Sequence, residues 1–252
     1  MTKKPVSLQL WSVRNAIDLD FAGTVKKVAA MGYAGVELAG YGKLDAVAAQ
    51  KAVKDAGLRA SGMHVGLEAL QNELPRVVSE AKGFGAAHVT CPGWPAEKLK
   101  TRAECEFAGE ELSRIGAKLR AEGLKFSYHN HGHEFAKVDG KFILDWMLGA
   151  SEPRDLSSEL DLYWVYFAEV DPAAYVRQLG SRLCLVHVKD GYGKGGKQTE
   201  LGMGKVDYKA IFQALDGLES LDWIIVEQEE YNFDPMVSVE KDWQQLKAWG
   251  RA

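Results

Sequence analysis

The chain has 252 residues, 46% of them hydrophobic and 26% charged, with a formal net charge of -4. This is the composition of an ordinary globular protein, without an apolar run long enough to cross a bilayer and without the block of lysines and arginines that tracks nucleic-acid phosphates. A small-molecule ligand is expected, and neither a membrane nor a nucleic acid. The length suits one domain over residues 1–252, since α/β barrels commonly fill this span as a single unit. Met1-Thr2-Lys3-Lys4-Pro5 is basic, but the following strand pattern is broken by Gln9, Ser12 and Arg14 where a signal peptide would have an apolar core. A cytoplasmic location is therefore expected. Cys91, Cys105 and Cys184 share no CxxC spacing and read as packing residues in a reducing compartment.

Eight strand-like runs begin near Val6, Ala34, Leu58, Ala86, Leu124, Leu156, Leu183 and Trp223. Their pitch of roughly 24 to 40 residues is about one β-α unit, with no linker between units. Helix signals fall between the runs: Thr101 with Glu104 forms a capping-box pattern, and Asp171-Pro172 supplies an N-cap and a first-turn proline. Gly32, Gly57, Gly123 and Gly180 stand where helices should stop in a left-handed cap. After strand one the chain reads Trp11-Ser12-Val13-Arg14-Asn15 and lacks the GxGxxG turn of a dinucleotide-binding open sheet. The expected fold is α/β, a single (β/α)8 TIM barrel. Two connections are longer than is usual in such units, from Gly132 to about Lys141 and from Asp190 to about Val206. Both lie where barrel enzymes build substrate contacts.

In the second half of the chain, four strand runs each end on metal-capable side chains. These are His129-Asn130-His131 with Glu134, Glu159-Leu160-Asp161, His187-Val188-Lys189-Asp190, and Glu227-Gln228-Glu229-Glu230. Residues two apart in a strand share a face, so each run can aim a pair into one cavity. Several ionisable groups placed there without partners would cost several kcal/mol each, and a bound cation is the simplest partner. Imidazole and carboxylate donors without cysteine select a hard to borderline divalent ion, manganese first, with magnesium, cobalt or zinc as alternatives. Asp161, His187 and Glu227 are the expected ligands from strands six to eight. The fourth comes from strand five or its loop, with Glu134 chosen and His131 its rival. His129 and His131 are then left for proton transfer.

These segments, with Leu8-Gln9-Leu10-Trp11-Ser12-Val13-Arg14 and Glu200-Leu201-Gly202-Met203-Gly204, resemble the sugar phosphate isomerase/epimerase family of xylose isomerase-like TIM barrels. That family also includes type-two apurinic endonucleases, inosose isomerases and dehydratases, and keto-sugar 3-epimerases. The resemblance implies one divalent cation held from strands five to eight, with Asp161, His187 and Glu227 carried over. At strand five, where many relatives have a glutamate, this chain has His129-Asn130-His131.

The expected activity is metal-dependent isomerisation or epimerisation of a sugar or keto-sugar through an enediolate, with His129, His131, Lys189 and Glu227 as catalytic residues. Lys189 would stabilise charge developing on oxygen, against the simpler expectation of an ion pair with Asp190 or Glu159. The alternative is a metal-dependent lyase, dehydratase or hydratase acting on a keto-sugar or keto-glycoside, because a leaving oxygen needs an acid and two histidines are at hand. An apurinic endonuclease and a non-catalytic sugar-binding barrel rank below both. His64, Trp94, Trp164 and Arg14 are the expected substrate contacts. His88 is read as packed, His133 as exposed, and Gly191–Lys197 as a mobile loop ahead of a phosphate cradle. A homo-oligomer is compatible with the sequence.

Overall fold

The computed structural model describes residues 3–252. Eight parallel strands form a closed barrel: β1 (Val6–Gln9), β2 (Gly35–Leu38), β3 (Arg59–His64), β4 (His88–Cys91), β5 (Lys125–His129), β6 (Ser157–Asp161), β7 (Leu183–Val188) and β8 (Trp223–Val226). Their order around the barrel follows the chain, and β8 closes on β1 through the pairs Val6↔Ile224 and Leu8↔Val226. Each strand starts within about two residues of its expected position, because period-two alternation is legible over even four residues. Among the described residues no helix is long and apolar enough to cross a membrane.

The helix signals act as the sequence implies. Thr101 and Glu104 cap Arg102–Ala121 reciprocally, and Asp171 accepts from the amides of Ala173 and Ala174 ahead of Pro172–Leu179. Gly32 is left-handed at φ 110° and ψ 4°. Gly180 departs from the expected cap: φ 51° and ψ -124° lie outside the left-handed helical well, and the residue opens a 3-10 turn, Gly180–Arg182. Both long connections are folded. One holds the 3-10 turn His133–Phe135 and an antiparallel ribbon of 137–138 with 141–142; the other holds a ribbon of 190–191 with 198–199.

Alternation sorts the barrel residues into two environments. Leu8, Val36, Leu38, Val89, Val186, Val188, Ile224 and Val226 join the large core between sheet and helices, whereas Leu185, Trp223 and Ile225 form a separate cluster with Cys184. The rest of the interior is polar. Ser7 bonds Ser61 at 2.7 Å, Thr90 bonds Ser127 at 2.8 Å and donates to Glu159 at 3.0 Å, and Gln9 donates to Glu37 at 2.8 Å. A TIM barrel is normally filled by layers of branched aliphatics. Here the β7–β8 side is apolar and the β1–β6 side is a ladder of hydrogen-bonded groups rising to the carboxyl end, which supports charged side chains there.

Candidate active site at the carboxyl mouth of the barrel

Asp161 closes β6 and also caps the helix Leu162–Phe167. Its Oδ1 accepts from the Trp164 amide at 2.9 Å, and its own amide donates to Asn130 Oδ1 at 3.1 Å. The side chain is thereby fixed with Oδ2 turned to the mouth, buried, 3.1 Å from Lys189 Nζ and without a well-formed hydrogen bond. Glu227 Oε2 lies 3.0 Å from His187 Nδ1 and 2.9 Å from Lys189 Nζ. Donor atoms of His129, Asp161, His187 and Glu227 all lie within 4.8 Å of one another. A second set, His64, His129, Glu159 and His187, meets the same limit.

Burial alone would neutralise these groups, so their charge states follow from their neighbours. Burial raises the Glu227 carboxyl, but Lys189 and His187 outweigh it and hold it well below the ordinary range. Burial lowers His187, but Glu159 and Glu37 carry it well above its usual value. His64 is raised in the same way by Glu37 and Glu159. His129 is pushed down to about 4 by burial and then by His187; His131 falls to about 4 through burial and then Lys189. Lys189 is raised, since Asp161, Glu227 and Glu229 overcome its burial. Burial thus pushes His129 and His131 toward the neutral form, while the neighbouring carboxylates pull His64 and His187 toward the charged form.

A cavity of about 480 Å³ opens on this cluster, lined by Trp11, Ala39, His64, Pro92, His129, His131, Glu227 and Glu229. Trp164 borders the cluster, its ring centroid 5.9 Å from that of His131 and 5.5 Å from Lys189 Nζ. The expected site residues His64, His129, His131, Asp161, Trp164, His187, Lys189 and Glu227 are thus brought together. Three are placed elsewhere. The Glu134 carboxylate is buried where it accepts from Tyr128 at 2.7 Å and from the His131 amide at 2.8 Å, and it is absent from both clusters of donor atoms. The fourth donor atom grouped with those of Asp161, His187 and Glu227 is from His129, while Glu134, in the turn after β5, folds back onto the His131 amide. Trp94 lines an apolar cavity with Leu67, Pro95 and Phe107, and Arg14 stacks on Trp11 and bonds Tyr231 beside a third cavity.

The ion pair expected for Lys189 also has different partners: Asp161, Glu227 and Glu229 rather than Asp190 or Glu159. Asp190 instead accepts from the amides of Gly191, Gly202, Gly204 and Val206, tying down both ends of the loop after β7. A Cβ at Gly204 would lie 2.0 Å from Asp190 Oδ1, so only glycine allows this approach. His88 is packed, with Nε2 2.9 Å from Asp222 Oδ2, and the side chain of His133 is partly exposed. Sequence reasoning missed Glu37, Gln9 and Trp11. Glu37 lies one residue before the end of β2, where alternation turns it inward, but a single acid in a strand does not mark a site by itself.

The family model described as xylose isomerase-like TIM barrel matches residues 25–252. The chain belongs to that family. Among curated proteins, an inosose dehydratase of Geobacillus thermodenitrificans is 24% identical over 179 residues, 64% of this chain and 58% of the relative. This xylose isomerase-like barrel therefore aligns with little more than half the length of that relative. A solved sugar phosphate isomerase/epimerase from Parabacteroides distasonis superposes with a TM-score of 0.84 at 24% identity, covering 97% of this chain and 98% of the other. A D-allulose 3-epimerase from Methylomonas gives a TM-score of 0.73 at 14% identity, covering 98% of each chain. These likenesses establish the fold, and the family is one of enzymes.

The donor set of this barrel fits a divalent cation. His129 Nδ1 and Asp161 Oδ2 are buried without a well-formed hydrogen bond, at a cluster richer in carboxylates than in fixed cations. His129, Asp161, His187 and Glu227 would hold the ion.

Proposed function

We propose that the protein is a divalent-metal-dependent enzyme that removes a proton from the carbon beside the carbonyl of a keto-sugar and expels an oxygen substituent one carbon further on. It is on this reading a lyase or dehydratase. The observation that carries it is the convergence of His129, Asp161, His187 and Glu227 at a cavity that also presents two imidazoles outside that set, His64 and His131. Manganese is the ion proposed, with magnesium, cobalt and zinc suited to the same donors. When bound, the ion would supply Lewis-acid polarisation of the carbonyl and so acidify the neighbouring C–H.

Each residue then has a role set by its surroundings. His131, neutral at the cavity wall, takes the proton from carbon. His64, kept protonated by Glu37 and Glu159, gives a proton to the departing oxygen. Two groups whose environments push their proton affinities apart are suited to be base and acid at one pH. Lys189, fixed between Asp161 and Glu227, faces the negative charge that develops on the carbonyl oxygen. Trp11 and Trp164 offer flat walls to a sugar ring.

The name of the inosose dehydratase relative favours loss of water or of an alkoxyl group. Return of the proton without loss of oxygen would instead make the protein an isomerase or epimerase, the reading that the sequence ranks first and that the epimerase-like fold supports. One experiment separates them. The manganese-loaded protein is incubated in D2O with a panel of keto-sugars, inososes and keto-glycosides, and the products are read by NMR. Elimination gives an unsaturated or dicarbonyl product with release of water or alcohol. Interconversion of sugars with deuterium on carbon supports the second reading, and a panel that takes up no deuterium and changes no sugar sinks both.

A further inference from the structure

Both nitrogens of His187 are engaged, and on opposite sides. Nδ1 faces Glu227 Oε2 at 3.0 Å, on the side of the mouth, while Nε2 faces Glu37 Oε2 at 2.7 Å and Glu159 Oε1 at 3.1 Å, on the side of the barrel interior. Glu37 comes from β2, on the far side of the barrel in sequence terms, and is wholly buried. It is itself held: Gln9 Nε2 donates to the same Oε2 at 2.8 Å, and Gln9 Oε1 accepts from the Trp11 amide at 3.1 Å. The other oxygen, Oε1, has no hydrogen-bond partner and lies over Gly62, where a Cβ would come within 3.0 Å of it. The carboxyl group is therefore confined from both sides, with Oε2 2.7 Å from His187 Nε2 and, at the longer distance of 3.3 Å, beside His64 Nε2.

We infer that Glu37 is a positioning residue for the metal centre: it binds the Nε2–H of His187 and so fixes the tautomer and ring orientation in which Nδ1 presents its lone pair to the mouth. The inference rests on the proposed metal-dependent reading of the site. A metal-ligating imidazole commonly donates its second N–H to a carboxylate, and loss of that partner weakens metal binding by about 10–100-fold. Here the carboxylate is supplied by a strand that contributes none of the four proposed ligands. The chain Trp11 amide, Gln9, Glu37, His187 also ties a wall of the substrate cavity to a proposed ligand.

The test uses the full chain and Glu37→Gln, which keeps the size of the side chain but can present an amide N–H to Nε2. Three quantities are measured: manganese affinity by titration with EPR detection, the His187 tautomer by long-range 1H–15N NMR of the metal-free protein at a pH where the ring carries a single proton, and the thermal midpoint of the metal-free protein. The expected result is a 10–100-fold weaker manganese affinity and a shift of the His187 proton from Nε2 to Nδ1, with the metal-free midpoint changed by only a few degrees. A purely structural role would lower the midpoint and leave the tautomer alone, and that outcome overturns the inference, as does an affinity within twofold of the unmodified chain. Should the variant not fold, Gln9→Met decides: weaker manganese binding at an unchanged fold supports the role, and unchanged binding removes it. Failure of the unmodified chain to bind manganese, magnesium, cobalt or zinc overturns the metal reading itself and this inference with it. Tight binding that Glu37→Gln leaves intact overturns the positioning role alone.

Discussion

The two ends of this barrel both bury a histidine against a carboxylate, yet they differ in how charge is closed. At the amino end, Asp222 accepts from His88 at 2.9 Å and from Lys125 at 2.5 Å, so one acid meets two basic groups. At the carboxyl end, four buried acids, Glu37, Glu159, Asp161 and Glu227, meet one lysine and two imidazoles drawn toward the charged form, His64 and His187; burial and then Glu159 push Glu37 up to about 7, and His129 and His131 are pushed down. The amino end has the larger cavity, about 1170 Å³ against about 480 Å³. Its basic lining has an ordinary cause: Lys54 and Lys82 occupy the last turns of their helices, where the terminal carbonyls attract cations. Size therefore points away from the end at which the sequence places the site. A closed set of charges marks a structural contact, and an excess of buried carboxylates marks the place where a cation or substrate completes the set.

The sharpest way to break this contrast is to remove what completes the carboxyl end. Stripping divalent metal, or replacing Asp161 by Asn or Glu227 by Gln, is expected to lower turnover roughly 10³-fold or more, since Lewis-acid stabilisation is worth several kcal/mol. Turnover in exhaustively chelated protein equal to that of the loaded protein would show that the carboxylates need no cation. His131→Ala comes next, with an expected loss of about 10²–10⁴-fold in kcat for removal of a proton-transfer group. An unchanged kcat with a raised KM would reassign His131 to substrate binding.

A third test concerns the loop that follows β7. Asp190 accepts four backbone amides, from Gly191, Gly202, Gly204 and Val206, so Asp190→Ala would leave several polar groups unpaired. The expected cost is about 3 kcal/mol, a fall in thermal midpoint on the order of 10 °C. A shift within a degree or two would mean that the loop is held by other contacts.

The same residue shows what was legible in advance. Strand starts, the capping box at Thr101 and the N-cap at Asp171 follow from local rules, because alternation and capping act over a few residues. The convergence of Asp161, His187 and Glu227 is also legible, since each is the last inward position of its strand or the next beyond it. Glu134 could not be placed that way: it lies past the strand end, where a single turn decides direction, and the turn folds it under His131. Nor could the partners of Lys189 be read. Asp190 is its neighbour in sequence, but adjacent residues of an extended chain point apart, and Asp190 turns to the loop amides while Lys189 points inward. Glu37 escaped for another reason. Its strand carries one acid rather than a run of them, so it signals nothing until the barrel closes and brings it to His187.

The smallest effect should come from the amino end. Asp222→Asn removes a charge partner from His88 and Lys125 at a partly exposed position, and an effect of about 1 kcal/mol on stability at neutral pH is expected, with turnover unchanged. Its pH dependence has a definite sign. The hydrogen bond from His88, with Lys125, holds Asp222 down at about 2, against burial that would raise it. A carboxyl whose folded value is depressed adds stability above its unfolded value of about 3.9, and that contribution is lost as pH falls through the folded value. The difference in stability between the native chain and Asp222→Asn should thus be full above about pH 5 and shrink toward zero near pH 2, as followed by urea unfolding across that range. A difference that stays constant to pH 2 would mean that the charge of Asp222 contributes nothing and that His88 is held by packing alone. A fall in turnover comparable with that of His131→Ala would collapse the distinction between the two ends, because a closed ion pair about one barrel length from the mouth has no route to the reacting carbon except through the fold.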